Sequence, residues 1–339
     1  MPVIPEVGRR DVRMKIILLG IAAVLWLGVI IHLAPIFWMF VTSIKPTAEV
    51  FRFPPTLWPE NPTFDPYRLL TRTLNQVGGG GNTALFRYPM WTYLFNSVLL
   101  AFGTVAFEVP ITALAAYGVA KLLRGRAARV LFLFFIGTLM IPGQVALIPR
   151  FLLLSHFPWP TMSVPHIPFT ESLFPSYSFV GTYWGVILPA AFNAFNFLLF
   201  TGYFATIPSE FIDAARIDGA TEMQIFQKIA LPLSRPIIAV CVYFTFTATW
   251  NNFLWPLIVL MGDQSKWPLS VMMYKLQYFL TNWQPAQGTM DPAMQQMVES
   301  GVGFNALMAL AILESIPVFI MFLIFREQLM KGIRLQGFK

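Results

Sequence analysis

Six long apolar runs constrain the fold of this chain more than any other feature of its sequence. A helix needs about 20 apolar residues to cross the hydrocarbon core of a bilayer, and only helices or closed barrels satisfy backbone groups there. The runs reach that length at Lys15–Val41, Trp91–Ala120, Val130–Leu154, Gly181–Ile207, Pro236–Met261 and Phe304–Phe325. They predict an all-α membrane protein with six transmembrane helices. Only 12% of residues are charged, against about 25% in soluble domains.

The basic residues predict the orientation of these helices. Cytoplasmic loops of membrane proteins carry an excess of lysine and arginine. Most of the 23 basic residues lie before the first run, after the second, after the fourth and after the sixth, at Arg9, Arg10, Arg13, Lys15, Lys121, Arg124, Arg126, Arg129, Arg216, Lys228, Arg235, Arg326, Lys331, Arg334 and Lys339. We therefore expect a multi-pass protein with both termini in the cytoplasm. The net charge of +7 then reflects this loop bias, and no nucleic-acid partner is predicted.

Three longer segments fall on the predicted outer side, at Ser43–Met90, Ser155–Val180 and Gly262–Gly303. The last one predicts a short helix, lying on the membrane or packed on the spans, because apolar residues recur at helical spacing: Leu269, Met272, Met273, Leu276 and Leu280. Two interpretations of these segments stay open. They are ordered connections between spans, or they form a landing surface for an external solute-binding protein.

A polar segment, residues 208–236, separates the fourth run from the fifth, and we call it the polar island. Ser209 predicts the N-cap of a helix beginning at Glu210, and Asp218-Gly219 predicts its end in a turn. Thr221 and Gln224 form a capping-box pattern for a second helix. One apolar stripe toward the membrane domain is predicted from residues at intervals of three or four: Ile212, Ala215, Gly219, Met223, Phe226, Ala230 and Leu233.

The composition of the polar island indicates a docking element. Small residues would let another surface approach closely, and they cluster at Ala214, Ala215, Gly219 and Ala220. Glu210 and Asp213 place negative charge in the first turn of the first helix, where it suits the helix dipole. A compact helix pair on the cytoplasmic side of a lipid-buried protein therefore predicts a soluble partner.

The polar island resembles a known family motif. Ile207-Pro-Ser-Glu-Phe-Ile-Asp-Ala-Ala-Arg-Ile-Asp-Gly-Ala, followed by Phe226-Gln-Lys-Ile-Ala-Leu-Pro-Leu-Ser-Arg-Pro236, is similar to the EAA loop of type I ABC importer permeases, especially the maltose- and sugar-type subunits. Supporting similarities include Ser43-Ile-Lys-Pro and Trp250-Asn-Asn-Phe-Leu-Trp-Pro-Leu257. The resemblance implies the type I permease fold, with a transmembrane core at 91–328 that contains the loop at 207–236. Residues 1–90 would form a tail, the first span and an external loop, and 329–339 a cytoplasmic tail.

The resemblance also implies the partners and the activity. The chain would be a non-catalytic subunit without cofactor, in the inner or plasma membrane of a prokaryote. It would work with a second permease subunit, two cytoplasmic ATPase subunits and an external solute-binding protein, and import a sugar or sugar-like solute by alternating access. The ATPase contact would be formed by Glu210, Asp213, Ala214, Ala215, Asp218 and Gly219. Asp213 is shorter than the glutamate usual in the family's E-A-A triplet.

Polar residues within the predicted spans are candidates for a translocation path, at Asn193, Asn196, Trp250, Asn251 and Asn252. Amide and indole groups can hydrogen-bond sugar hydroxyls in a wet cavity, and they can equally join helices to one another. Both interpretations stay open for Asn193 and Asn196. For Trp250–Asn252 we favour packing or gating.

Two other classes of protein are weighed against the importer. Glu108 and Glu314 lie inside predicted spans, where a carboxylate often marks a proton or ion pathway, so an ion-coupled secondary transporter is one alternative. It would show internal repeats with paired broken helices, and no convincing repeat is found. A membrane enzyme or scaffold is the other. The chain has no clustered nucleophile and base, no G-x-x-x-x-G-K-[ST] loop, no metal-ligand spacing among its 3 histidines, and a lone Cys241 in an apolar run.

Overall fold

The computed structural model of the protein describes residues 12–50, 52–71, 87–156, 178–282 and 303–336, and these residues form helices and connections without a strand. In chain order the helices are α1 (Val12–Ser43), α2 (Thr47–Val50), α3 (Asp65–Thr71), α4 (Met90–Tyr117), α5 (Gly125–Gly137), α6 (Leu147–Ser155), α7 (Tyr183–Ile187), α8 (Ala194–Thr206), α9 (Ser209–Ile217), α10 (Glu222–Leu233), α11 (Arg235–Trp250), α12 (Leu254–Val259), α13 (Leu269–Asn282) and α14 (Phe304–Gln336).

The number of uninterrupted spans is smaller than the six predicted. Within the described residues, three helices are long and apolar enough to cross a membrane: Met14–Ser43, Met90–Leu122 and Phe304–Met330. Two bent pairs pass the same test, Tyr183–Ala190 with Ala194–Thr206 at 43° and Glu222–Leu233 with Arg235–Trp250 at 83°. By length and composition, the described residues therefore provide three spans, or up to five if each bent pair counts as one.

The predicted third span is broken in the structure. α5 ends at Gly137, a 3-10 turn covers Thr138–Met140, and α6 begins only at Leu147. Pro142 lies in the break, where it lacks the backbone N–H that a continuing helix would need. Neither piece reaches the roughly 20 residues that a span requires, so the prediction of one continuous helix over Val130–Leu154 is wrong.

α4 is the centre of the larger of two structural units, which comprises residues 71–282 and 314–339. It packs against α8 and α11 through buried apolar side chains: Val109, Ala113, Ala116, Tyr117, Phe197, Phe200, Phe204, Val240 and Cys241. Aromatic rings contribute much of this surface, and the Tyr117 and Phe204 rings meet edge to face at 5.8 Å. Cys241 is 0% exposed, which confirms that it is a small core residue.

Helix α13 also belongs to this unit, and the prediction of a helix there is confirmed. Four of the five apolar residues that predict this helix are buried: Leu269, Met272, Leu276 and Leu280. The backbone N–H of Leu269 donates to Ser97 Oγ at 2.7 Å, and Asn96 Nδ2 donates to the Trp267 carbonyl at 2.9 Å. Hydrogen bonds from α4 therefore fix the start of α13 to the spans. The segments to which the landing-surface interpretation applies lie partly outside the described residues, at 72–86, 157–177 and 283–302.

The smaller unit comprises residues 1–70 and 283–313. α1 exposes apolar side chains all along its length, including Leu19, Trp26 and Ile30, as expected of a membrane helix. In the segment that follows, Glu49 accepts hydrogen bonds from Thr56 Oγ1 at 2.6 Å and from the Glu60 backbone N–H at 3.2 Å. The bond from Thr56 is the main reason that the pKa of Glu49 lies below its ordinary value.

Candidate functional site

The first helix of the polar island starts one residue earlier than predicted. α9 begins at Ser209, and Pro208 precedes it with φ −57° and ψ 136°. Proline has no side-chain acceptor, and no side chain caps this N-terminus. The prediction that Ser209 caps a helix from Glu210 is therefore wrong, although Glu210 does lie in the first turn.

The turn and the second cap of the polar island are confirmed. Gly219 has φ +80°, a conformation that residues with a Cβ rarely adopt. The Asp218 N–H donates to the Ala214 carbonyl at 3.0 Å. The capping box then starts α10, because the Thr221 N–H donates to Gln224 Oε1 at 2.9 Å and the Gln224 N–H donates to Thr221 Oγ1 at 3.4 Å.

The buried face of the polar island agrees only in part with the predicted stripe. Ile212, Ala215, Phe226 and Ala230 are buried, whereas Gly219, Met223 and Leu233 are exposed, and Ile225 is buried at 0% exposure. The predicted stripe requires one continuous helical phase through Gly219. The turn resets the helical phase, and a π-helical segment at Phe226–Ala230 changes it again.

Ionic hydrogen bonds hold the two helices of the polar island together. Arg216 Nε donates to Glu222 Oε1 at 2.8 Å, and Arg216 also contacts Asp213 Oδ1 at 3.0 Å. The hydroxyl of Tyr117 donates to Glu222 Oε2 at 3.3 Å. The bond to Glu222 is the main reason that the pKa of Arg216 is raised above its ordinary value. Sequence reasoning missed this pair, although opposite charges on either side of a predicted turn are a signal for it.

Lys121 anchors the start of the polar island to the bundle. Its Nζ donates at 2.7 Å to the carbonyl of Ile207, the residue that follows α8. Ring contacts add to this anchoring, since Phe226 lies 5.1 Å from Tyr117 between ring centroids. The island is therefore attached to the end of α4 by polar and apolar contacts.

One face of the island is left exposed, and we call it the coupling face: Glu210, Phe211, Asp213, Ala214, Ile217, Asp218 and Gly219. Ile217 is 87% exposed and Phe211 56%, although both are large apolar residues. Ala215 was predicted to be part of this face, but it is buried against the chain's own core. Five of the six residues predicted for an ATPase contact thus share this surface, and Phe211 and Ile217 join them.

The side chain of Asn193 caps a helix, and that of Asn196 joins helices. Asn193 Oδ1 caps α8 by accepting from the Phe195 N–H at 2.9 Å. Asn196, 1% exposed, donates from Nδ2 to Glu108 Oε1 at 3.1 Å and to Thr245 Oγ1 at 2.9 Å. Glu108 also accepts from the hydroxyl groups of Thr245 and Thr112. That these asparagines line a path stays a prediction.

The residues around the end of α11 have different environments. Trp250 is 2% exposed, and its Nε1 donates to the Glu314 carbonyl at 3.0 Å, as packing predicts. Asn251 and Asn252 are exposed in the break between α11 and α12. Asn252 is held there by its carbonyl, which accepts from Ser270 Oγ at 3.0 Å.

A cavity of about 50 Å³ lies next to this break, and Asn252 lines it together with Thr104, Arg150, Thr249 and Trp255. The Arg150 guanidinium lies 5.0 Å from the centroid of the Trp255 ring. Of the five residues predicted for a translocation path, Asn252 alone is among those that line this cavity. Sequence reasoning missed Arg150, although a lone cation in an apolar run is a signal for function.

Comparisons with known proteins place this architecture among transport proteins. The family model described as "Binding-protein-dependent transport system inner membrane component" matches residues 108–335. The sn-glycerol-3-phosphate transport system permease protein UgpE of Salmonella typhi is 26% identical over 310 residues, which cover 91% of this chain and 92% of the relative. UgpE of Escherichia coli O1:K1 / APEC is 26% identical over 311 residues, with the same two coverages of 91% and 92%.

A solved structure shows the same fold. It is a bacterial ABC transporter involved in the import of the acidic polysaccharide alginate, with a TM-score of 0.69 and 23% identity, and the match covers 94% of this chain and 98% of that one. A second structure, of a bacterial alginate ABC transporter in complex with a periplasmic protein bound to an alginate pentasaccharide, has a TM-score of 0.52 and 15% identity, over 88% and 92% of the two chains.

Proposed function

We propose a function from one premise: the chain belongs to the family of binding-protein-dependent transport system inner membrane components. It is accordingly a multi-pass, non-catalytic permease subunit of a type I ABC importer, and a separate ATPase hydrolyses ATP. The importer is dependent on a solute-binding protein and takes a sugar-like solute. We further propose that a second permease subunit pairs with this chain and that both termini lie in the cytoplasm.

The coupling face is the observation that supports the proposed mechanism. It presents exposed apolar and acidic side chains on α9, while Ile212 and Ala215 on the opposite side of α9 pack inside the chain. An exposed apolar surface with a polar rim is typical of a protein contact site. We propose that this face docks on the ATPase.

Rigid attachment of the island would transmit ATPase movement to the spans. The Arg216–Glu222 pair and the Lys121–Ile207 hydrogen bond tie α9 to α10 and to the end of α4. We propose that closure of the ATPase pair on ATP moves the island and rocks the spans from inward-open to outward-open, and that hydrolysis resets them. This is alternating access between two packed arrangements.

The docking role can be tested with a bulky residue on the coupling face. Ala214→Trp places an indole on an exposed position of α9, and Gln227→Trp places one on an exposed position of α10 outside the coupling face. The assay is ATP hydrolysis stimulated by the binding protein, in proteoliposomes that hold both permease subunits and the ATPase. We expect Ala214→Trp to lower it at least about tenfold, about 1.4 kcal/mol, and Gln227→Trp to leave it unchanged.

Two results would contradict the proposal. One is stimulated hydrolysis at the wild-type rate in Ala214→Trp complexes that have assembled normally. The other is solute uptake by proteoliposomes that contain this chain without any ATPase, which would favour an ion-coupled transporter.

A further inference from the structure

We propose that the cavity beside Arg150 is a subsite for an anionic group, a carboxylate or a phosphate ester, of the imported solute. The proposal rests on the proposed importer function and adds a chemical class of solute to it. Two observations at one place support it: a guanidinium without a carboxylate partner and a buried hydroxyl without a hydrogen-bond partner.

Arg150 is an exposed cation whose guanidinium donates no hydrogen bond to another described residue. Within the part of the chain that the structure describes, its guanidinium forms no salt bridge, and its carbon lies 5.0 Å from the centroid of the Trp255 ring. Stacking on an aromatic face leaves the in-plane N–H groups of arginine available, and their fork geometry matches carboxylate and phosphate oxygens. None of the residues that line the cavity is acidic.

Thr104 supplies the second observation. It lies within α4, it is 2% exposed, and its hydroxyl has no hydrogen-bond partner among the described residues. A threonine hydroxyl in a helix often bonds the carbonyl one turn earlier, and the Thr104 hydroxyl does not. Thr104 lines the same cavity as Arg150, so a hydroxyl without a hydrogen-bond partner among the described residues is buried in the wall of this cavity. Thr249 and Asn252 add further donors to the lining.

The size of the cavity indicates which part of a solute it holds. At about 50 Å³ it is far smaller than pockets for whole ligands, which measure about 300–1,000 Å³. It can therefore take one functional group and not a sugar ring. A desolvated anion needs a cation and several hydrogen-bond donors, and these are what the lining provides.

A lipid phosphate could bind the same guanidinium as an anionic solute. Arg150 lies on α6, near the predicted outer end of the third run, where a lipid headgroup could reach it. Thr104 instead lies on α4, the central helix of the unit, and is almost fully buried. A site that uses both side chains favours a solute inside the protein over a lipid at its edge.

The test measures how solutes protect a cysteine at the cavity. Ala190→Cys, at a lining position without a donor side chain, is placed in a Cys241→Ala background in the full complex with its ATPase and second permease subunit. Its reaction rate with a membrane-impermeant thiol reagent is followed. The anionic probes are sn-glycerol 3-phosphate and glucuronate, and the neutral counterparts are glycerol and glucose. We expect the anions to slow the reaction and the neutral compounds to leave it unchanged.

Variants at Arg150 and Thr104 test whether these two side chains cause the protection. Arg150→Gln should raise the anion concentration needed for half protection at least about tenfold, and Thr104→Val, a change of nearly the same volume, should raise it less. Arg126→Gln, which removes an exposed arginine elsewhere, should not change it. Equal protection by anionic and neutral probes, or protection that survives Arg150→Gln, would overturn the subsite.

Two further outcomes distinguish a solute subsite from a lipid site and from a failure of the proposed function. A reaction rate that follows the phosphatidylglycerol content of the vesicles, and not the solute, would assign Arg150 to lipid and overturn the proposal. Binding-protein-stimulated ATP hydrolysis is measured in the same vesicles. Intact hydrolysis without anion protection refutes the subsite alone, whereas wild-type complexes without stimulated hydrolysis refute the proposed function.

Discussion

Glu108 is 1% exposed and lies between three helices, where it accepts hydrogen bonds from Asn196, Thr245 and Thr112. These donors come from α8, α11 and α4. A carboxylate in this position acts as a shared acceptor that joins the helices of the bundle. Asn196 Oδ1 has no partner among the described residues, so an amide in place of the carboxylate could donate to it.

We therefore expect Glu108→Gln and Asn196→Leu to differ. Glu108→Gln keeps one acceptor oxygen for the threonines and adds an amide that donates, so it should change the free energy of unfolding by less than about 1 kcal/mol. Asn196→Leu removes one of the buried donors to Glu108 and should lose about 1–3 kcal/mol. Thermal unfolding in detergent measures both. An ATP-driven importer should also keep its uptake in Glu108→Gln, and a folded but inactive Glu108→Gln protein would support ion coupling instead.

Arg216 is a second single residue with a testable role, because its guanidinium donates to Glu222 on the second helix of the polar island. Arg216→Gln should loosen α9 by about 0.5–1 kcal/mol, a small value because the pair is partly exposed. Hydrogen exchange of the amides in 209–217 should become faster, and stimulated ATP hydrolysis should fall. Lys228→Gln, which removes another exposed cation of the island, is the control. Unchanged exchange in Arg216→Gln would show that apolar packing alone orients α9.

At the scale of elements, the polar island depends on a turn that only glycine forms easily. The turn at Gly219 brings α10 back against α9, so that Ile212 and Phe226 bury in the same core. The π-helical segment in α10 then sets which side chains face inward. The breaks that precede α6 and follow α11 have a similar role, because they leave Arg150 and Asn252 beside one cavity.

Two glycine-to-alanine changes test this element. Gly219→Ala must hold a Cβ at φ +80°, which costs about 1–2 kcal/mol, and it should slow stimulated hydrolysis by disturbing the coupling face. Gly202→Ala lies inside α8 with no atom within 4 Å of the added Cβ, and it should stabilise the helix by up to about 1 kcal/mol. Thermal unfolding of both purified variants gives the comparison, and equal effects would mean that the turn conformation carries no strain.

At the scale of the whole molecule, the distribution of charge predicts which segments face the cytoplasm. Single cysteines in a Cys241→Ala background can show which side of the membrane a segment faces. Suitable exposed positions are Asn61, Arg126 and Gln227. In right-side-out membrane vesicles we expect an impermeant thiol reagent to label Asn61→Cys directly. Arg126→Cys and Gln227→Cys should react only after permeabilisation. Labelling of Arg126→Cys in sealed vesicles would reverse the proposed orientation.

Local features of this protein could be predicted from sequence because their causes lie within a few residues. Apolar runs indicated a helical membrane protein, Thr221 and Gln224 indicated a capping box, and Gly219 indicated a turn. The family motif in the polar island also lies in one continuous stretch. The N-cap of α9 was misplaced by one residue, since Pro208 and Ser209 both allow a helix to begin.

Tertiary structure decided the features that depend on distant partners. Whether Ala215, Met223 or Ile225 is buried depends on how α9 and α10 turn against α4, and no local pattern contains that angle. Asn196 became a helix-joining residue because Glu108 and Thr245 come from other helices. Arg150 and Thr104 line one cavity although 46 residues separate them in the sequence, because burial and hydrogen bonding depend on which surfaces meet in space.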